Sequence, residues 1–247
     1  MRLKISFSAD KEYIYLPIHH NEYIQGMLYG NLPEPLAKYL HDIGFFYNNR
    51  AFKLFTFSKI YSEQYFPLLK DKKIKYKSPI SIYISSAIEE IPHRWGENFI
   101  RKDRIFLGKN NLYLQEIEIQ KQPEFKEEFY IKTLSPITVY RTIENDKKYY
   151  KYYSPSEKDF AELIKINLTK KYNLITGENI EEFPIDIKPA KDIKKVLFKY
   201  KDFPIEAYEG IFKIKTNPDM FKVVYDAGLG AKNSQGFGMI EVMSEID

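Results

Sequence analysis

Cysteine is missing from all 247 residues, which excludes disulfides, thiolate metal ligands and a cysteine nucleophile, and fits a reducing cytoplasm. Histidine is scarce, at His19, His20, His41 and His93. No His-x-x-x-His pair occurs, and the adjacent His19 and His20 do not readily converge on one ion, so no metal site and no cofactor is expected. No apolar run approaches the length of a membrane span, and no basic-then-apolar leader opens the chain, so a soluble, cytoplasmic protein is expected. Charge of one sign is also weak. Thirty-eight basic residues against 34 acidic give +4, a balance that permits nucleic-acid binding without arguing for it.

Glycine is sparse as well, with 11 residues in the chain, yet four of them fall in Gly228-Leu229-Gly230-Ala231-Lys232-Asn233-Ser234-Gln235-Gly236-Phe237-Gly238. Before this segment Asn217 is a helix cap, Pro218 suits the first helical position, and Met220, Phe221 and Val224 share a face. Gly228 reads as the helix stop, and Met239–Met243 is a short β-prone run. A dinucleotide fold or a P-loop needs strand, glycine loop, then helix, so that the helix N-terminus meets phosphate. Here helix comes first and strand last, and the spacing does not fit Gly-x-Gly-x-x-Gly. A loop of small residues with Lys232 can still contact a phosphodiester backbone, and the bland alternative is a flexible connection.

Periodicity predicts a strand over Leu3–Ser8, a turn at Pro17, a helix over Glu22–Asn31 and a helical turn around Leu36, Tyr39 and Leu40 that stops at Gly44. Strands are expected over Phe52–Phe57 and Ile80–Ile84, a helix over Ala87–Ile100 broken or started by Pro92, and a strand over Leu112–Ile119. After a polar junction at Gln122–Glu128 the order begins again. Strands are expected at Phe129–Thr133 and Ile137–Arg141. Ser154-Pro155-Ser156-Glu157 reads as a capping box, opening a helix that carries Phe160, Leu163, Ile164 and Leu168. Strands at Ile185–Lys188, Val196–Tyr200 and Ile205–Lys215 then precede the Asn217 helix. Each half reads β, α, β, β, α, β. The expected fold class is α+β, with two tandem ferredoxin-like, split β-α-β domains at 1–123 and 124–247.

Leu16-Pro17-Ile18-His19-His20-Asn21-Glu22-Tyr23-Ile24-Gln25-Gly26-Met27-Leu28-Tyr29, then Leu36–His41, then Lys53–Ser58, resembles the CRISPR-associated endoribonucleases that cut repeat transcripts into guide RNAs. The family belongs to the RAMP superfamily and ends in Gly-x-Gly-x-x-Asn-Ser-x-Gly-Phe-Gly, which Gly228–Gly238 matches. Thr133-Leu134-Ser135-Pro136-Ile137 resembles the opening of the family's second domain. The resemblance implies tandem ferredoxin-like domains, and it places Tyr29, His41 and Lys53 where archaeal-type members carry a catalytic Tyr, His and Lys.

That set suits RNA cleavage without metal, which needs the 2′-hydroxyl deprotonated, the leaving 5′-oxygen protonated and charge on the phosphorane stabilised. The resemblance assigns His41 as general acid, Tyr29 as general base or orienter and Lys53 as electrostatic stabiliser, with a 2′,3′-cyclic phosphate and a 5′-hydroxyl as products. Tyrosine normally titrates near 10, so a tyrosine base needs a cation to lower its pKa, and Lys53 is the expected one. Otherwise Tyr29 only positions and His41 serves either proton transfer.

His19 and His20 are auxiliary catalytic candidates, with helix capping by His20 or Asn21 as the bland alternative, and His93 reads as surface or groove lining. RNA contacts are expected at Gly228, Gly230, Lys232, Asn233, Ser234, Gly236 and Gly238. The basic run Lys70, Lys72, Lys73, Lys75 and Lys77 around Tyr76 reads either as a solvated strand edge or as an RNA contact. The expected partner is CRISPR repeat RNA in the precursor transcript, with a CRISPR effector complex and a homodimer as further partners the resemblance and the aromatic content allow. The competing reading is a repeat-RNA-binding subunit without cleavage.

Overall fold

The computed structural model describes residues 1–48, 50–144, 148–200 and 203–243. The first half opens with β1 (Arg2–Ala9) and β2 (Tyr13–Pro17), followed by α1 (Asn21–Gly30), α2 (Glu34–Lys38) and a π-helical turn over Tyr39–Ile43. Four short strands come next, β3 (Phe45–Tyr47), β4 (Arg50–Phe52), β5 (Phe55–Phe57) and β6 (Tyr61–Ser62). Then come β7 (Tyr65–Leu68), β8 (Lys73–Lys77), β9 (Ile80–Ser86), α3 (Glu90–Arg101), β10 (Ile105–Leu107) and β11 (Asn110–Ile119). In the main sheet β1 is central, because Leu3, Ile5 and Phe7 alternate inward, and the order is β10-β11-β1-β9-β5. Trp95 and Phe99 of α3 and Ile24 and Leu28 of α1 close that core, and the Trp95 indole N–H donates to the Leu28 carbonyl at 2.8 Å.

The second half holds β12 (Glu128–Thr133), a hairpin of β13 (Tyr140–Glu144) and β14 (Lys148–Tyr152), then α4 (Lys158–Thr176). The long strands β15 (Ile185–Tyr200) and β16 (Phe203–Thr216), α5 (Pro218–Ala227) and β17 (Ile240–Met243) complete it. Its main sheet runs β15-β16-β12-β17, and its core joins Phe160, Ile164 and Leu168 of α4 to Phe212, Ile214 and Phe221. Counting main strands along the chain, both sheets have the order fourth, first, third, second. This is the split β-α-β pattern expected from the sequence. Among the described residues, no helix is long and apolar enough to cross a membrane.

Several local expectations are corrected. The strand expected over Phe52–Phe57 is two strands, separated where Leu54 takes φ 55° and its carbonyl accepts from the Ser86 hydroxyl and the Ala87 N–H. The strand expected at Ile137 starts at Tyr140, because Ile137 makes only an isolated bridge to Tyr208. Ser154 does not cap α4, which begins at Lys158, so Pro155 lies outside it; half of the capping box survives, as Glu157 accepts from the Ser154 N–H at 2.6 Å. The basic run is not a strand edge. β8 is the central strand between β2 and β7, Tyr76 is buried, Lys77 pairs with Glu63, and Lys75 stands 3.5 Å from the Tyr13 ring centre.

Buried hydrogen bonds join the halves. Arg2 on β1 donates to the carbonyls of Ile240 and Tyr225, each at 2.7 Å, and its guanidinium lies 3.5 Å from the Tyr225 ring centre. Ser85 donates to the Asp226 carbonyl and Thr56 to the Phe237 carbonyl, both at 2.9 Å.

Candidate active site

Residues four apart on a helix share a face, so Asn21, Gln25 and Tyr29 form one stripe on α1. Asn21 donates to the Gln235 carbonyl at 2.8 Å and Gln25 to the Ser234 carbonyl at 2.6 Å, while the Tyr200 hydroxyl donates to the Gln25 side chain. The glycine segment and the end of β15 thereby dock on the helix one turn before Tyr29. Asn21 is an inter-half contact, and no side chain caps α1.

The Tyr29 ring meets the His41 ring edge to face, with centroids 5.7 Å apart. His41 lies in the π-helical turn that ends at Gly44, and its Nδ1 lies 2.7 Å from an Asp42 carboxylate oxygen. With Nδ1 donating to Asp42, Nε2 is the atom left for proton transfer. Lys53 donates to the His41 carbonyl at 2.9 Å. Gly44 at φ +78° permits this approach, since a Cβ there would meet the Phe52 carbonyl oxygen at 2.7 Å and Lys53 Nζ at 3.1 Å. The structure therefore brings Tyr29, His41 and Lys53 together.

The electrostatics divide the proposed roles. Burial, then the Tyr200 hydroxyl, pushes the Tyr29 phenol upward, the direction that suits an orienter rather than a base. Burial lowers the Lys53 ammonium against the opposing pull of Asp42. Asp42 itself is held below the usual carboxylate range by its hydrogen bond to His41.

The other histidines sit elsewhere. His20 is buried, with Nδ1 3.0 Å from the Pro17 carbonyl and Nε2 3.5 Å from the Tyr76 hydroxyl, and burial lowers its pKa. Both of its nitrogens face protein rather than an open cleft, and it holds the N-cap position of α1, where its carbonyl accepts from the Tyr23 and Ile24 N–H groups, with no side-chain bond to the helix. His19 is partly exposed beside Phe198, at 6.2 Å between ring centres, with its pKa lowered by burial and then by Lys199. His93 is exposed on α3.

In the C-terminal segment Gly228, Gly230, Gly236 and Gly238 are all buried at positive φ. A Cβ on Gly238 would lie 1.9 Å from the Leu229 carbonyl oxygen, and one on Gly236 would lie 2.4 Å from the Phe57 ring. The backbone N–H groups of Leu229, Ala231 and Gly238 donate to the carbonyls of Gly238, Thr138 and Pro136. Asn233 staples the loop by donating to the Leu229 and Phe237 carbonyls at 2.9 and 3.0 Å. The segment is thus a packed framework. It leaves Lys232 and Ser234 partly exposed.

Lys171 of α4, missed in the sequence, lies beneath this loop at 2% exposure. It donates to the Gly228 and Gly230 carbonyls and to Asn233 Oδ1 at 2.7, 3.2 and 2.7 Å, so three acceptors match three ammonium protons. Burial, then Arg50, pushes it well below the ordinary lysine range. Only a helical face that mixes lysine with apolar residues hinted at it. Asp42 was visible in the sequence solely as the neighbour of His41.

Residues 120–242 match the family described as CRISPR associated protein Cas6, C-terminal. The chain is 31% identical over 233 residues to the CRISPR-associated endoribonuclease Cas6 of Pyrococcus furiosus, covering 92% of this chain and 83% of that one. It is 26% identical over 246 residues to CRISPR-associated endoribonuclease Cas6 1 of Methanocaldococcus jannaschii, covering 97% and 92%. A solved Cas6-related protein of Pyrococcus furiosus superposes with a TM-score of 0.87 at 24% identity over 100% of this chain and 99% of that one. An RAMP protein described as binding different RNA substrates superposes at 0.85 and 23% identity, over 99% and 100%. These two structures share the tandem ferredoxin-like fold. With these matches spanning both halves, the chain belongs to the Cas6 family of CRISPR-associated endoribonucleases.

Proposed function

We propose that this chain cleaves CRISPR repeat RNA within the precursor transcript, without metal, at the cluster of Tyr29, His41 and Lys53. The observation that carries the reading is their convergence: Tyr29 and His41 in ring contact, and Lys53 hydrogen-bonded to the His41 carbonyl. The 2′-oxygen attacks phosphorus and its proton leaves to solvent. As the P–O2′ bond forms and the P–O5′ bond breaks, His41 Nε2 protonates the departing 5′-oxygen. The Tyr29 hydroxyl stays neutral and orients the 2′-hydroxyl, and the Lys53 ammonium opposes charge on the phosphorane. Products are a 2′,3′-cyclic phosphate and a 5′-hydroxyl.

The test is incubation of a repeat RNA in EDTA with analysis of the product ends, beside the same RNA carrying one 2′-deoxynucleotide at the cut. Single-site cleavage in EDTA, a cyclic phosphate and full resistance of the deoxy substrate are expected. Cleavage of the deoxy substrate, or a strict requirement for divalent metal, overturns the mechanism. Tight retention of RNA with no cleavage makes the chain a binding subunit.

A further inference from the structure

The hairpin β13–β14 pairs outside both main sheets, and its two faces have different uses. On one face Arg141 is tied to α4 through Asp159 and Glu162, at 2.8 and 3.4 Å. The register Tyr140↔Tyr152 and Thr142↔Tyr150 puts Tyr140, Tyr150 and Tyr152 on the opposite face. There the rings of Tyr140 and Tyr150 stand edge to face at 5.0 Å, and Lys232 Nζ lies 4.9 and 5.4 Å from their centres. Tyr150 keeps 43% of its surface exposed, which is more than support of a hairpin requires.

A second cation joins them. Arg50 pairs with Tyr47 across the β3–β4 hairpin, and the Tyr47 hydroxyl accepts from Asn173 of α4 at 3.0 Å, two residues beyond Lys171, so the Arg50 charge adds to burial in lowering both Lys232 and Lys171. Cations gathered beside an exposed aromatic face match the chemistry of an unpaired nucleotide, with phosphate on the cations and base on the ring. Arg50 also precedes Lys53 by three residues, at most about 10 Å of extended chain. The platform is therefore within short reach of the candidate catalytic cluster.

We infer that Tyr150, with Arg50 and Lys232, forms a subsite for one unpaired RNA nucleotide, whose base stacks on the Tyr150 ring and whose phosphate lies between Arg50 and Lys232. The inference rests on the reading of the chain as a repeat-RNA nuclease, which it deepens by assigning single-stranded recognition to one face. Tyr150 needs its ring rather than its hydroxyl in this role.

The test uses repeat RNA made uncleavable by a 2′-deoxynucleotide at the cut, with 2-aminopurine placed at one position at a time. Wild type is expected to quench one position strongly. Tyr150→Ala restores that fluorescence and weakens binding about tenfold, whereas Tyr150→Phe behaves as wild type. Arg50→Ala reduces the slope of log affinity against log salt by about 0.7 to 1, the signature of one lost phosphate contact. Because Tyr150 is exposed, equal thermal melting of the variants separates lost contact from lost fold. Wild-type affinity and salt slope in both alanine variants, while wild type still cleaves, overturn the subsite and leave the nuclease reading standing. If wild type neither binds nor cleaves the RNA, that reading fails and the subsite with it.

Discussion

Asp42 and Lys53 hold His41 from two sides, one at its ring and one at its backbone. The Asp42 contact fixes which imidazole nitrogen carries the outward function. Since the His41 and Asp42 side chains are 68% and 53% exposed, the pair adds little to stability, and its effect belongs in the rate. Asp42→Asn is expected to lower the single-turnover rate about threefold to tenfold without changing the melting temperature. A rate equal to wild type contradicts the orienting role. Tyr29→Phe separates the two roles of the phenol: an orienter costs about tenfold on removal, whereas loss of a general base costs up to ~10⁴.

His20 provides a pH test at the same scale. Its folded pKa is lowered, so the unfolded chain binds more protons below the unperturbed value near 6.5, and stability must fall as pH drops through that value toward the folded pKa. Denaturant unfolding between pH 7.5 and 5 should show this slope, and His20→Gln should flatten it. An equal slope in the variant contradicts a neutral buried His20.

At the scale of elements, the glycine segment holds its shape through close backbone approaches that side chains would block and through one buried lysine. Gly238→Ala places a carbon against the Leu229 carbonyl at φ +77° and is expected to cost about 2–4 kcal/mol. Lys171→Met removes the donors to three oxygens and is expected to cost a similar ~2–4 kcal/mol, lowering the melting temperature by roughly 5–15 °C. Calorimetry of both variants checks this, and melting within 2 °C of wild type contradicts the framework role. Much of this region was legible in the sequence: the Asn217 cap is present, with its side chain accepting from the Asp219 N–H at 2.9 Å, and Gly228 ends α5. Lys171 was not, because whether a lysine on a helix meets water or a ring of carbonyls depends on what packs over it. The β13–β14 hairpin and the β2-β8-β7 sheet were hidden for a related reason. Their strands are five residues or fewer, and side-chain alternation over such a length is read only with the partner strand in view.

Across the whole molecule, the repeated order of elements was visible in the sequence, and the way the halves grip each other was not. Arg2 is an ordinary basic residue beside an N-terminal methionine until it is found at 3% exposure, with its guanidinium bonded to two carbonyls of the other half. Arg2→Met is expected to cost about 3 kcal/mol and to broaden or split a single unfolding transition, as the two cores lose their buried polar tie. A sharp, unshifted transition contradicts that coupling. The candidate catalytic cluster is tied to this docking through the α1 stripe. Asn21 and Gln25 hold the second half against the helix that carries Tyr29.

The central claim is that this cluster cuts RNA with His41 as its proton-transfer group. It is tested most directly by single-turnover cleavage of repeat RNA in EDTA by wild type and His41→Ala, with affinity for the uncleavable deoxy substrate measured alongside. The account predicts a loss of about 10²–10⁴ in rate at unchanged affinity. Cleavage at the wild-type rate by His41→Ala would contradict it and move the chemistry to another residue.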